Sequence, residues 1–217
     1  MILKRVEHCE FVCKNSTFRH SLLLTQTVDT IMQTATSISV LKGITGTSNE
    51  IAILLGAVTP GDGGGGTFYY DSASIETQND GTIVKPTAVT NGRWKRIFSD
   101  TINVKWFASK VVSGNWSPAF QAGIDLGNSI FIPSGSYRID TPLTNNGDTS
   151  VVGESVSTVT LYTTSDINIF NFTNNGLITI RNLQLVASLA QTTGAAINIQ
   201  SPGGVRRVGI IENIRIL

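Results

Sequence analysis

The sequence predicts an all-β chain: a small antiparallel β module, then one short helix, then short strands stacked in repeating turns. Three observations carry this reading. Between about residues 36 and 100, short β-branched and aromatic runs alternate with strong turn signals. Beyond residue 101 the texture changes: lysine ends at Lys110, and residues 141–200 carry only four charged side chains, Asp148, Glu154, Asp166 and Arg181. Finally, "ITIRNLQLV" (178–186) aligns with "GIIENIRIL" (209–217), which sets Asn182 on Asn213, Leu183 on Ile214 and Leu185 on Ile216.

Taken in chain order, residues 1–36 hold both cysteines, both histidines and both methionines without a sustained period. They form a leader of uncertain structure, in which Leu22, Leu23, Leu24, Val28 and Ile31 could share a helical face. Residues 37–100 are the small β module. Its candidate strands are 51–57, 67–71, 82–85 and 93–98, separated by Pro-Gly-Asp-Gly, Asn-Asp-Gly and Asn-Gly turns. Pro86 ends the third strand or sets it at an edge, and Phe68, Tyr70, Trp94 and Phe98 are expected in or near the core.

Ser117-Pro118 supplies an N-cap and a first-turn proline, and Gly127 a stop, so a short helix is expected with Ala119, Phe120, Gly123 and Ile124 on one side. Placed before the first turn of strands, it would cover an open sheet end. The strands that follow are expected at 129–132, 137–139, 150–152, 158–161, 167–172, 177–180, 195–199 and 208–211. The repeat at an offset of about 31 residues lies within the range of stacked solenoids. Alternate apolar residues would then share a core, and an asparagine at a fixed turn would bond its equivalent on the next turn. A meandering sandwich is the alternative.

One stretch invites a catalytic reading. "GAVTPGDGGGGTFYYD" (56–71) contains a Gly-x-Gly-x-x-Gly at Gly61, Gly63 and Gly66. A phosphate-binding loop needs a helix opening behind it and a lysine for the outer phosphates. Here Thr67, Phe68, Tyr69 and Tyr70 follow, which is strand chemistry, so the loop is expected to be a connector.

Composition excludes several classes. Net charge is +1 with 14% charged residues, so no strong field recruits nucleic acid. Arg93-Trp94-Lys95-Arg96 alternates like a solvated strand face. No apolar stretch approaches the roughly 20 residues of a membrane span, and Ser21–Leu24 is too short for a signal-peptide core of about 7–15 residues. Cys9 and Cys13, with His8 and His20 nearby, lack the second ligand pair of a zinc site, so no metal or cofactor is expected.

Several stretches together resemble a known family. "TGTSNEIAILLG", "TPGDGGGGTFYYD", "GTIVKPT", "NGRWKRIF" and "INVKWFASK" resemble the segment that precedes the β-helix in bacteriophage tailspike-like and pectate-lyase-superfamily proteins. "IFIPSGSYRIDTPL", "VVGES" and "ITIRNLQL" resemble the first coils of that helix. The likeness covers about residues 38–217. It departs after "WF": where members usually continue with Gly-Asp-Gly and a pair of aspartates, this chain reads "ASKVVSGNWSPAFQAG".

The resemblance implies that residues 101–217 begin a right-handed, single-stranded parallel β-helix, of which about two to four coils are present at the usual repeat length. It implies the N-terminal part of a longer protein, a polysaccharide partner, a virion-tail or extracellular location and possible association into a homotrimer. Two functions follow. One is a structural and carbohydrate-binding part of a protein that recognises host-surface polysaccharide. The other is the N-terminal part of a lyase or glycoside hydrolase whose catalytic coils lie elsewhere. A glycosidase needs two carboxylates about 5–5.5 or 6.5–9.5 Å apart, and a lyase a base and usually a calcium site. After Lys110 the acids are Asp125, Asp140, Asp148, Glu154, Asp166 and Glu212, and their spacing forms no compact motif. Glu154, in a turn-like "VGES", reads as structural, and Arg206-Arg207 as a solvated turn. No catalytic or carbohydrate-binding residue is assigned.

Overall fold

The computed structural model describes residues 32–127, 129–145, 147–173, 176–200 and 209–217. The readings made for Cys9, Cys13, His8, His20, the apolar residues 22–31 and Arg206-Arg207 lie outside these residues. The architecture is all-β with little helix.

The first unit is a five-stranded sheet built from β1 (Gln33–Ala35), β2 (Ile51–Leu54), β3 (Gly66–Asp71), β4 (Ile83–Val84) and β5 (Arg93–Arg96), in the order β1-β2-β3-β5-β4. β2, β3, β5 and β4 pair antiparallel, as their turns predict. β1, however, lies parallel to β2, so the sheet is mixed rather than wholly antiparallel. The reason is the connection: α1 (Ile38–Lys42) and the loop after it carry the chain back over the sheet, and a crossover of that kind returns strands in the same direction. The sequence reading missed α1. Its signals are short: Ser37 Oγ accepts from the Val40 N–H at the N-cap, and Gly43 closes the C-terminal end.

Ile38, Leu41, Ala52, Leu54, Phe68, Tyr70, Val84 and Trp94 form the core of this unit. The indole N–H of Trp94 donates to the Ile44 carbonyl at 2.9 Å, so the buried aromatic leaves no polar atom stranded. Phe98 is not part of this core. It is 40% exposed, and it meets the Trp106 ring edge-on at 5.3 Å outside the core.

The second unit begins with β6 (Thr101–Asn103), a 3-10 segment (Val104–Lys110) and α2 (Ser117–Ile124). Then come β7 (Ser129–Ile132), β8 (Gly135–Arg138), β9 (Thr149–Gly153), β10 (Val159–Thr163), β11 (Phe170–Phe172), β12 (Ile178–Ala187), β13 (Ile197–Ile199) and β14 (Ile210–Ile216). Their pairings are all parallel, which rules out an antiparallel meander among them.

One sheet strip runs β6-β7-β9 and continues on the first half of β12, where Ile178–Arg181 lie on Thr149–Val152. A second runs β8-β10 and continues on the other half of β12, where Gln184–Ala187 lie on Thr160–Thr163. The corner between them is Asn182, with φ +59°. β14 lies along both halves and has its own corner at Asn213, φ +53°. The aligned repeat holds in register: Leu183 pairs with Ile214, Leu185 with Ile216, and the Asn213 amide donates to the Asn182 side-chain oxygen at 2.8 Å. β11 and β13 form a third strip, joined by Leu143 at a single bridge to Phe170.

Alternate residues of these strips, including Ile130, Ile132, Val151, Leu161, Phe170, Phe172, Ile180 and Leu183, turn into one core. α2 buries the predicted face of Ala119, Phe120, Gly123 and Ile124. The N-cap differs from expectation, since it is Trp116, and Ser117 stands inside the helix. Ser117 is 1% exposed, and its hydroxyl is held by the Asp140 and Thr141 N–H groups at 2.9 and 3.1 Å. The neighbouring Asn115 amide oxygen accepts the Ser117 N–H at 2.9 Å.

Candidate functional site

The glycine-rich loop has the N–H convergence of an anion site, and it supplies its own anion. The Asp62 carboxylate accepts the N–H groups of Ala57, Val58, Thr59 and Gly64 at 3.0, 2.7, 3.0 and 2.8 Å. Burial works against its charge, but these four bonds outweigh it and hold the pKa below the usual aspartate value. No helix follows; Gly66 opens β3 instead.

The loop's carbonyls then serve a buried cation. Arg96, 5% exposed, donates to Gly64, Gly65 and Gly81 oxygens at 2.9, 2.7 and 2.7 Å. Its guanidinium lies between the Phe68 and Trp106 rings, 4.6 and 4.4 Å from their centroids. Gly66, at φ +154°, is required there, because a Cβ would sit 2.2 Å from an Arg96 nitrogen. The expectation of a solvated face for residues 93–96 is therefore corrected. Arg93 and Arg96 are both buried, since turn carbonyls satisfy their guanidinium groups, and Lys95 pairs with Asp71 at 2.9 Å and with Glu76.

Most acids of the second unit hold neighbouring turns together. Glu154 accepts the hydroxyl and N–H of Ser134, both at 2.7 Å, which lowers its pKa. Asp166 is bonded by the Thr192 hydroxyl and by N–H groups of Thr192, Thr193 and Gly194, and its pKa lies well below the carboxylate range. Asp140 pairs with Arg138 at 3.0 Å, and Glu212 with Arg181 at 3.2 Å. Glu154 thus has the structural place its turn suggested.

Asp148 is likewise held across turns, by the Leu177 N–H, but it also lines one concavity with Asp125. A cavity of about 260 Å³ lies among Asp125, Leu126, Gly127, Asp148 and Thr149. A second of about 160 Å³ adjoins it at Gly127, Asp148 and Thr149 and runs on past Ser129, Ser150 and Thr179. The floor of this trough is a row of hydroxyl-bearing residues in register on the outer face of the first strip: Ser129, Ser150 and Thr179. The Ser129 hydroxyl donates to that of Ser150 at 3.2 Å. Both carboxylates are oriented by the chain, Asp148 by the Leu177 N–H and Asp125 by the Gln121 amide, each at 2.8 Å.

This trough was not read from the sequence. The rungs from Ser129 to Ser150 and from Asp148 to Leu177 span 21 and 29 residues, so no fixed period marks them. Alternation along each strand was the available signal. Among the described residues, no group of three or more His, Cys, Asp or Glu side chains gathers as a metal site, and no helix is long and apolar enough to cross a membrane.

Comparison with known proteins accords with this architecture. Residues 34–99 match the family model of the phage tail protein small four-stranded beta-sheet domain. The fold is similar to that of the tailspike protein of Acinetobacter phage vB_ApiP_P1, with TM-score 0.63 and 19% identity, over 76% of this chain and 31% of that one. It is similar to the enzymatically active domain of tailspike protein 2 of bacteriophage CBA120, with TM-score 0.64 and 18% identity, over 84% and 28%. A third likeness is to the tailspike of Acinetobacter baumannii bacteriophage Fri1, a capsular polysaccharide depolymerase, with TM-score 0.59 and 15% identity, over 78% and 35%. The chain therefore spans about a third of the length of the tailspikes it matches. With a match to a phage tail β-sheet domain over residues 34–99, followed by parallel strips like those of solved tailspikes, the chain has a tailspike-like fold.

Proposed function

We propose that this chain is a structural and carbohydrate-binding part of a virion-tail protein that recognises bacterial surface polysaccharide. In this reading residues 37–100 are one domain, with β1 added to its sheet from the segment just before it. Residues 101–217 are the opening coils of a right-handed parallel β-helix of the pectate-lyase type, with α2 as its cap. The in-register strips, the asparagine corners and the separate cores of the two units support it. Assembly is as a homotrimer through the β-helix.

The observation that carries the binding function is the exposed trough of hydroxyls and carboxylates on a tailspike-like scaffold. Hydroxyl groups both donate and accept, and carboxylates accept in pairs, which is the complement of a sugar's hydroxyl edge. Glu154 and Asp166 are tied to neighbouring turns, which favours binding over cleavage in this part of the protein.

The test is interferometry of the purified chain against a panel of bacterial capsular and exopolysaccharides, with product release followed in parallel and oligomeric state measured by sedimentation. Saturable binding without release is the expected outcome. Release of oligosaccharide would establish the depolymerase alternative, and no binding across the panel would overturn the reading.

A further inference from the structure

We propose that the trough beside α2 is a subsite for an uncharged polysaccharide, with Asp125 and Asp148 as its hydroxyl acceptors. This rests on the polysaccharide reading above and assigns it a place and a ligand class.

The lining is amphipathic in the way a pyranose is. Hydroxyls of Ser129, Ser150 and Thr179 form the floor, and the carboxylates of Asp125 and Asp148 stand at the exposed rim. Two leucines, Leu126 and Leu177, are 37% and 45% exposed within the same lining. Polar groups of both kinds beside small apolar patches suit a ring that has hydroxyl edges and C–H faces.

The sign of charge selects the sugar. Among the described residues of the lining, both charged side chains are aspartates, and none is Lys, Arg or His. Asp125 is also the C-cap residue of α2, where the last helix carbonyls add partial negative charge. A negative rim favours hydrogen-bond donors and opposes uronate or phosphate groups, because like charges facing each other across a contact are unfavourable. Each carboxylate is already oriented by a hydrogen bond from the chain, so little ordering is needed on binding.

The experiment is saturation-transfer NMR and calorimetry of the full chain. The probes are neutral hexose and N-acetylhexosamine oligosaccharides, with oligogalacturonate as the acidic comparison. At least one neutral series is expected to bind, with oligogalacturonate at least about tenfold weaker. Asp125→Asn with Asp148→Asn keeps an acceptor for the Gln121 and Leu177 donors, and is expected to weaken neutral binding about tenfold or more. Thr179→Trp, which fills the trough from its outer face, should abolish it. Thr160→Ala, on the second strip, should leave it unchanged.

Neutral binding that survives both trough variants, or a preference for oligogalacturonate, would overturn this inference and leave the polysaccharide reading standing. Failure of the whole chain to bind any neutral, acidic or bacterial polysaccharide would overturn both.

Discussion

Asp62 accepts four main-chain N–H groups across a loop where a Cβ on Gly64 would lie 2.4 Å from the Ala57 Cβ. Hydrogen bonds to a charged acceptor are each worth more than neutral ones, and stranding several donors at once compounds the loss. Asp62→Ala is therefore expected to cost about 2 kcal/mol in denaturant unfolding, and Asp62→Asn less, because one acceptor remains. The pH dependence has a definite sign. The folded pKa is below the ordinary value of 3.8, so the stabilisation is complete above that value and is lost as pH falls through the folded pKa. Acid unfolding of the wild type should accordingly be shallower in Asp62→Ala. The same filled nest implies that ATP with Mg²⁺ gives no saturable heat with the chain; micromolar binding would refute it.

At the scale of elements, β12 does two jobs because Asn182 turns a corner inside it. Its first half continues one strip and its second half another, and the asparagine repeats at Asn213 with the same left-handed backbone. A residue with a Cβ pays about 1–2 kcal/mol in that conformation, and asparagine is among the few that tolerate it. Asn182→Ala should therefore lose about 2 kcal/mol, combining backbone strain with the broken bond to Asn213. Asn182→Gly keeps the corner and should lose about 1 kcal/mol, the side-chain bond alone. Equal losses in urea melts would show that the corner is unstrained and that only the ladder matters.

For the molecule as a whole, two hydrophobic cores are joined where Arg96 of the first unit lies under Trp106 of the second. Burial pushes the Arg96 pKa down to about 9, and the group stays charged at neutral pH while three carbonyls and two ring faces surround it. The cation is thus best satisfied when both units are folded and in contact. Calorimetry is expected to show one unfolding transition for the wild type. In Trp106→Ala, which removes one face of the sandwich, the units should unfold in two steps, the less stable one several degrees lower. A single transition that merely shifts would place the coupling elsewhere on the interface.

Much of the fold was legible in the sequence because its signals are local. Asn-Gly and Pro-Gly turns and alternating apolar residues act within one strand or hairpin, and the 178–186 and 209–217 repeat is visible by aligning two stretches of the chain. They determined the all-β class, the helix at 117–124 and the pairing of Leu183 with Ile214. Three things only the tertiary structure decided. The parallel placement of β1 depends on the path of a crossover, which no residue of β1 encodes. The burial of Arg93 and Arg96 depends on carbonyls supplied by distant turns, so an alternating basic run cannot reveal it. The trough depends on turns of unequal length bringing Asp125, Asp148 and the hydroxyl row to one rim, a juxtaposition set by strand register in space rather than by spacing along the chain.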